Sequence, residues 1–171
     1  METKIILMTS AEMGDGKSFI LANLALAYAQ EDKKVLIIDC DLRRGRQHKI
    51  FHVKNSSSRG YSNLILNYEE PRDLAKYIVK TEIENVSLIP KGPTPPNPIE
   101  LLASDTNREI LQKLDQIFDI ILLDCPPALG LSDTLVMTRY SDANIVVVSA
   151  KKTKTEMLND VKKAFEKANA E

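Results

Sequence analysis

The sequence predicts an α/β protein with a mostly parallel sheet and helices on both faces of that sheet. Two observations support this class. Strongly apolar segments recur along the chain, and Ala- and Leu-rich or amphipathic segments separate them. Strands that are apolar throughout need cover on both faces, which helical crossovers between parallel strands provide. The length of 171 residues predicts a single domain over residues 1–171, long enough to bury a sizeable core.

The elements follow in a regular order. The first predicted strand, Lys4–Ser10, runs into a glycine loop, and residues 17–32 follow as a helix rich in Ala and Leu. Further strands are predicted at residues 33–42, 84–92, 118–127 and 143–150, and further helices at residues 61–70, 71–81, 107–118 and 154–171. The basic stretch 43–60 is predicted to be a loop with one helical turn, and residues 93–105 a proline-rich connector.

Composition excludes several classes of protein. The net charge of −1 gives no overall electrostatic case for nucleic acid. No apolar run approaches the roughly 18 residues that span a bilayer, so direct membrane insertion is not expected, and no signal peptide is visible. Two cysteines, Cys40 and Cys125, cannot form a disulfide framework, and we expect reduced, buried thiols. These features predict a cytoplasmic protein.

A glycine loop between the first strand and the first helix carries the strongest functional motif. Gly16, Lys17 and Ser18 end a stretch that has Ala11 at its head, where the usual motif has glycine. A strand before this loop and a helix after it are the context of a phosphate-binding P-loop, in which Lys17 reaches phosphates and Ser18 binds Mg²⁺. The predicted nucleotide-binding residues are Met13, Gly14, Asp15, Gly16, Lys17, Ser18 and Phe19.

Three aspartates end two of the other predicted strands. Asp39 and Asp41 lie two positions apart and leave the same side of the pleat, and Asp124 ends the run "IILLD". Carboxyl ends of parallel strands meet at one edge of a sheet, so these side chains are expected beside the glycine loop. Taken alone, Asp39 and Asp41 could equally be solvated strand-end carboxylates. With the loop, they predict a Mg²⁺–nucleotide site with Ser18, Asp39 and Asp124 as metal ligands.

A small basic patch follows the second strand. Arg43, Arg44 and Arg46 lie near the predicted phosphates. They are either solvated loop charges or groups that position phosphate or an acidic partner, and the residues alone leave both interpretations open.

Four segments together resemble a known family. The P-loop and the "IDCDLRR" and "LLDCPP" strands resemble the MinD/ParA-like P-loop ATPases. Within that group, "SAEMGDGKS", "VLIIDCDLRRGRQHKIF", "IPKGPTPPNPIELLAS" and "FDIILLDCPPALGLSDTLVM" resemble the cytoplasmic domain of bacterial tyrosine kinases of capsule and exopolysaccharide synthesis. The resemblance runs from about Lys4 to Leu158, and the proline-rich stretch is its most specific part.

The resemblance implies an activity and assigns roles. It implies transfer of the γ-phosphoryl group of ATP to a tyrosine hydroxyl, with ATP and Mg²⁺ as cofactors. Lys17, Asp39, Asp41 and Asp124 match the family's catalytic positions, and one of the paired aspartates is a candidate to accept the tyrosine proton. Position 12 carries Glu where MinD and ParA proteins carry a lysine that reaches a partner's phosphates, and the bacterial tyrosine kinases also lack that lysine. Met13 stands where the kinases usually have proline.

The sequence departs from the family at both ends. No helix with the Glu-x-x-Arg-x-x-Arg motif of ring assembly precedes the first strand, and no tyrosine cluster follows, since the last tyrosine is Tyr140. We therefore expect a chain truncated at both ends, either a fragment or a reduced relative. A homo-oligomer is one arrangement that the resemblance implies.

Three functions follow as hypotheses. The first is a tyrosine kinase that works with a membrane polysaccharide co-polymerase, docking on its cytoplasmic segment at the inner face of the membrane. The second is a non-kinase ATPase switch in which bound nucleotide controls partner association. The third is a scaffold that holds nucleotide weakly. Phosphate on tyrosine separates the first hypothesis from the other two.

Overall fold

The computed structural model describes residues 4–54, 58–130, 132–150 and 152–168. Six strands within these ranges form one sheet. Its spatial order is β3-β4-β2-β5-β1-β6, and every neighbouring pair is parallel except β3 with β4. The strands are β1 Ile5–Ser10, β2 Val35–Asp39, β3 Val79–Lys80, β4 Val86–Ile89, β5 Ile120–Asp124 and β6 Ala143–Val147. The predicted class, a mostly parallel sheet, is confirmed.

Helices connect most of the strands. The α-helices are α1 Lys17–Gln30, α2 Gln47–Ile50, α3 Tyr61–Asn67, α4 Pro98–Leu102, α5 Asp105–Asp115, α6 Ser132–Met137 and α7 Thr155–Lys167. Two short 3₁₀ helices cover Pro71–Lys76 and Thr138–Tyr140. Among the described helices, none is long and apolar enough to cross a bilayer.

The core has two main layers, one on each face of the sheet, and a smaller third cluster that includes Val161 and Phe165 of α7. Alternate side chains of β2 separate to the two layers, so that Leu36 packs with α3 and α5, and Ile37 packs with α1. All five residues of β2 and of β5 are buried. A strand covered on both faces has no solvent-exposed side, which explains the continuous apolar runs in the sequence.

Three element predictions needed correction. Residues 71–81, predicted as a helix, form a 3₁₀ helix followed by β3, because the Asp73 carboxylate accepts from the backbone N–H groups of Glu69 and Glu70 and holds a tight turn. The proline-rich connector contains α4, which Pro98 starts at the first helical position. The sequence prediction also contained no helix at α6, since that segment is short.

Candidate functional site

The glycine loop joins β1 to α1 at the carboxyl edge of the sheet. Gly14 and Gly16 have φ of 87° and 89°, a left-handed conformation that favours glycine. The Gly16 carbonyl accepts from the N–H groups of Phe19 and Ile20 at 3.1 and 3.0 Å, so α1 begins immediately after the loop. The loop borders a cleft of about 690 Å³, into which a helix N-terminus directs its partial positive charge. This geometry is suited to phosphate.

Lys17 lies against the aspartate at the end of β5. Its Nζ donates to Asp124 Oδ1 at 3.1 Å and to Ser18 Oγ at 3.3 Å. The Asp124 side chain is fully buried, whereas 12% of the Lys17 side chain is exposed. Burial lowers the pKa of Lys17, but the combined attraction of Asp124, Asp41 and Asp39 outweighs it and raises the pKa above its ordinary value. Lys17 is therefore a cation at neutral pH.

Asp39 is fully buried beside Asp124, its direct partner in the register of β2 and β5. Its Oδ2 accepts from the Gln47 backbone N–H at 3.1 Å, and within the described residues its Oδ1 has no hydrogen-bond partner. Burial, followed by the charge of Asp124, raises the pKa of Asp39 well above its usual range. Two buried carboxylates with one local cation leave negative charge uncompensated.

This surplus of negative charge fits a hard divalent cation. Mg²⁺ takes oxygen ligands and is usually held by one or two carboxylates with phosphate oxygens and waters. The available oxygens belong to Asp39, Asp124 and the Ser18 hydroxyl. Among the described residues, no group of three or more His, Cys, Asp or Glu side chains could hold a metal by itself. Because Mg²⁺ prefers octahedral coordination, the three protein oxygens would leave positions for phosphate and water ligands.

Asp41 occupies a more open position than Asp39. Its Oδ1 accepts from the Arg44 backbone N–H at 2.9 Å, which fixes the turn after β2. Its side chain lines both the 690 Å³ cleft and an adjoining cleft of about 410 Å³. Met13, Arg44 and Pro127 also line both clefts. Asp41 thus lies where a second reactant can approach the phosphate loop.

The predicted residues meet at one edge of the sheet. Met13, Gly14, Gly16, Lys17, Ser18, Phe19 and Asp41 line the larger cleft. Asp39 and Asp124 lie behind it, fully buried, and Asp15 accepts from the Glu12 N–H at 3.0 Å within the loop. In the basic patch, Arg43 pairs through Nε with buried Asp133 at 3.3 Å, while Arg44 and Arg46 border the cleft. Cys40 and Cys125 are free, buried thiols.

Sequence reasoning missed Gln47 and Gly45. The Gln47 side chain donates to Asp124 Oδ2 at 2.8 Å and to the Ser18 carbonyl at 3.0 Å. A Cβ at Gly45 would lie 2.1 Å from Asp39 Oδ1, so only glycine fits there without a shift. No periodic pattern in the sequence indicates either of these contacts. The position of Gly45 in the turn after a site strand was the single available signal.

Lys152 was also missed. Its Nζ donates to the Met13 carbonyl at 2.7 Å and lies 4.0 Å from Asp15 Oδ1. This contact ties the segment after β6 to the phosphate loop, 139 positions earlier in the chain. No feature of the sequence distinguishes Lys152 from neighbouring lysines.

Comparisons with known proteins show the family of this chain. The chain matches the AAA domain family over residues 3–171. It is 40% identical over 163 residues to the putative tyrosine-protein kinase CapB of Staphylococcus aureus, covering 95% of this chain and 68% of that protein. It is similar in structure to the kinase domain of the Escherichia coli tyrosine kinase ETK, with a TM-score of 0.92, 33% identity, and coverage of 99% of this chain and 65% of that one.

A nucleotide complex is found among the similar structures. The septum site-determining protein MinD of Pyrococcus horikoshii, complexed with Mg-ADP, gives a TM-score of 0.76 at 25% identity and covers 98% of this chain and 67% of that one. A protein of this fold therefore holds nucleotide and magnesium together.

Proposed function

The chain belongs to the AAA domain family and, within it, to the bacterial tyrosine-protein kinases, and we propose that it transfers the γ-phosphoryl group of Mg²⁺–ATP to a tyrosine hydroxyl. One observation carries this proposal. Lys17 and three aspartates meet beside the glycine loop, and Asp39 keeps a buried carboxylate oxygen without a partner among the described residues. Charge of both signs beside a cleft of about 690 Å³ at the phosphate loop is what phosphoryl transfer requires.

The residues divide into three roles. Lys17 and the backbone of residues 13–19 bind the phosphates. Ser18, Asp39 and Asp124 would hold Mg²⁺, which when bound neutralises charge on the β- and γ-phosphates. Asp41 accepts the proton of the attacking tyrosine, because it lines both clefts whereas Asp39 is fully buried. The tyrosine oxygen bonds to the γ-phosphorus, the bond from that phosphorus to the bridging oxygen breaks, and ADP leaves.

The cellular setting belongs to the same proposal. The kinase acts in the cytoplasm at the inner face of the cell membrane, recruited by the cytoplasmic segment of a membrane polysaccharide co-polymerase, and it regulates capsule or exopolysaccharide synthesis. It works as a homo-oligomer when one copy of the chain phosphorylates another copy. The resemblance of the proline-rich segment and the relation to CapB support this setting.

A nucleotide-controlled switch is the second candidate, favoured by the likeness to MinD. Glu12 argues against it, because a carboxylate replaces the cation that such switches present to a partner's phosphates.

One experiment separates the two. The chain is incubated with Mg²⁺–ATP and a tyrosine peptide, with and without a candidate activator segment, and ADP and phosphotyrosine are both quantified by mass spectrometry. Phosphotyrosine that disappears in Lys17→Met supports the kinase. ADP release without phosphotyrosine supports the switch and contradicts the kinase.

A further inference from the structure

Gln47 joins the three parts of the site. It is the first residue of α2 and its side chain is completely buried. A side-chain amide has two N–H donors, and Gln47 Nε2 donates to Asp124 Oδ2 at 2.8 Å and to the Ser18 carbonyl at 3.0 Å. Its backbone N–H donates to Asp39 Oδ2 at 3.1 Å. If the amide were flipped, its oxygen would face the Ser18 carbonyl and Asp124 Oδ2, which are both acceptors. The nitrogen must therefore occupy this position.

These contacts occupy one oxygen of each carboxylate and leave the other. The backbone N–H of Gln47 donates to Asp39 Oδ2, and its side-chain amide donates to Asp124 Oδ2. Asp39 Oδ1 has no hydrogen-bond partner among the described residues, and Asp124 Oδ1 accepts from the Lys17 ammonium. The Oδ1 atoms are therefore the carboxylate oxygens that Gln47 leaves open to a cation.

The chemistry of an amide suits this task. A neutral donor fixes a carboxylate without cancelling its charge, so Asp124 remains attractive to a cation. Lys17 has phosphate as a second proposed partner, whereas both N–H groups of the Gln47 side chain donate within the site, one of them to Asp124. The bond to the Ser18 carbonyl also ties the first turn of α1, which carries the Ser18 hydroxyl, to the same amide.

We propose that Gln47 is a positioning residue that sets the rotamers of Asp39 and Asp124 and the place of Ser18 for a divalent cation bound with nucleotide. This inference rests on the proposed nucleotide function and does not depend on the identity of the phosphoryl acceptor. Partners that orient metal ligands typically contribute 10- to 100-fold to metal affinity.

The test is calorimetric titration of ADP with Mg²⁺ and with EDTA. Gln47→Met keeps the length of the side chain and removes both donors, and Gln112→Met makes the same change at an exposed position of α5. We expect Gln47→Met to reduce the gain in ADP affinity that Mg²⁺ provides by about tenfold, with ADP affinity in EDTA unchanged. Gln112→Met is expected to match the wild type in both.

Gln47→Asn gives a second test if Gln47→Met does not fold. It keeps the amide but withdraws it by one methylene, so it cannot reach Asp124 and Ser18 together, and the same selective loss is expected. Two results would overturn the inference: a normal Mg²⁺ gain in a folded variant, or an equal loss of affinity with and without Mg²⁺.

The proposed kinase activity is judged separately. Phosphotyrosine formation by the wild type tests that activity, and the Mg²⁺ gain in ADP affinity tests Gln47. A wild type that shows the gain but makes no phosphotyrosine contradicts the kinase proposal alone.

Discussion

The Lys17 ammonium lies 3.1 Å from Oδ1 of Asp124. Lys17, the residue proposed to bind phosphate, and Asp124, a residue proposed to bind Mg²⁺, therefore neutralise each other's charge. Because Asp124 is fully buried, loss of this pair would also affect the stability of the fold.

We expect Lys17→Met to reduce both the activity and the folding stability of the protein. Turnover should fall by about 10²- to 10³-fold, because a preorganised cation at the transferred group is removed. The free energy of unfolding should fall by about 3 kcal/mol, because Asp124 becomes a buried charge without its partner. Lys17→Met/Asp124→Asn should recover stability but not activity. Chemical denaturation and a phosphotyrosine assay measure the two effects. Lys162→Met, in an exposed pair with Glu166, serves as the control and should change neither.

Asp39→Asn should separate stability from function. The buried Asp39 carboxylate lies beside Asp124, and its pKa is raised well above the ordinary value, so its ionised form destabilises the fold at neutral pH. We expect the asparagine variant to be more stable than the wild type at pH 7 without metal, and inactive.

The pH dependence of that difference has a definite sign. A carboxyl group with a raised pKa in the folded state contributes stability that is present at acid pH and lost as pH rises through that pKa. The amount by which the free energy of unfolding of Asp39→Asn exceeds that of the wild type should therefore decrease as pH falls. Urea denaturation at several pH values in EDTA measures it, and an advantage that grows toward acid pH would contradict the assignment.

Gly45→Ala should disturb Asp39 directly. The added Cβ would lie 2.1 Å from Asp39 Oδ1, and that carboxylate is buried and has little room to move. We expect a loss of about 1–3 kcal/mol in the free energy of unfolding, as for other overpacked sites. The loss should be smaller in an Asp39→Ala background, where the clashing atoms are gone. Equal losses in both backgrounds, measured by a double-mutant cycle, would show that the clash is not the cause.

Tyr61 should be a structural residue and not a phosphoryl acceptor. It is fully buried, its hydroxyl donates to Asn107 Oδ1, and burial raises its pKa well above the ordinary value. We expect Tyr61→Phe to reduce the free energy of unfolding by about 1–3 kcal/mol, because Asn107 Oδ1 is left buried without a donor. Phosphotyrosine formation should not change. Tyr68→Phe, which removes an exposed bond to Glu109 at 3.2 Å, is the matched control and should be nearly neutral.

Sequence reasoning identified the main strands because each is a short apolar run covered on both faces. It predicted one helix over residues 71–81, where the structure has a 3₁₀ helix followed by β3, and it missed the helix α4, because a few hydrogen bonds decide such short elements. Asp39, Asp41 and Asp124 could be proposed as neighbours because parallel strands end at one edge, and the register pairs Asp39 with Asp124.

The sequence by itself determined the sheet class, the phosphate loop and the residues at the carboxyl edge, because strand burial and a fixed-spacing loop are local properties. The tertiary structure decided which groups support them. Gln47 meets Asp124 across 77 positions and Arg43 meets Asp133 across 90. Such contacts depend on how packed strands and loops bring distant segments together, and no periodicity or spacing along the chain encodes them.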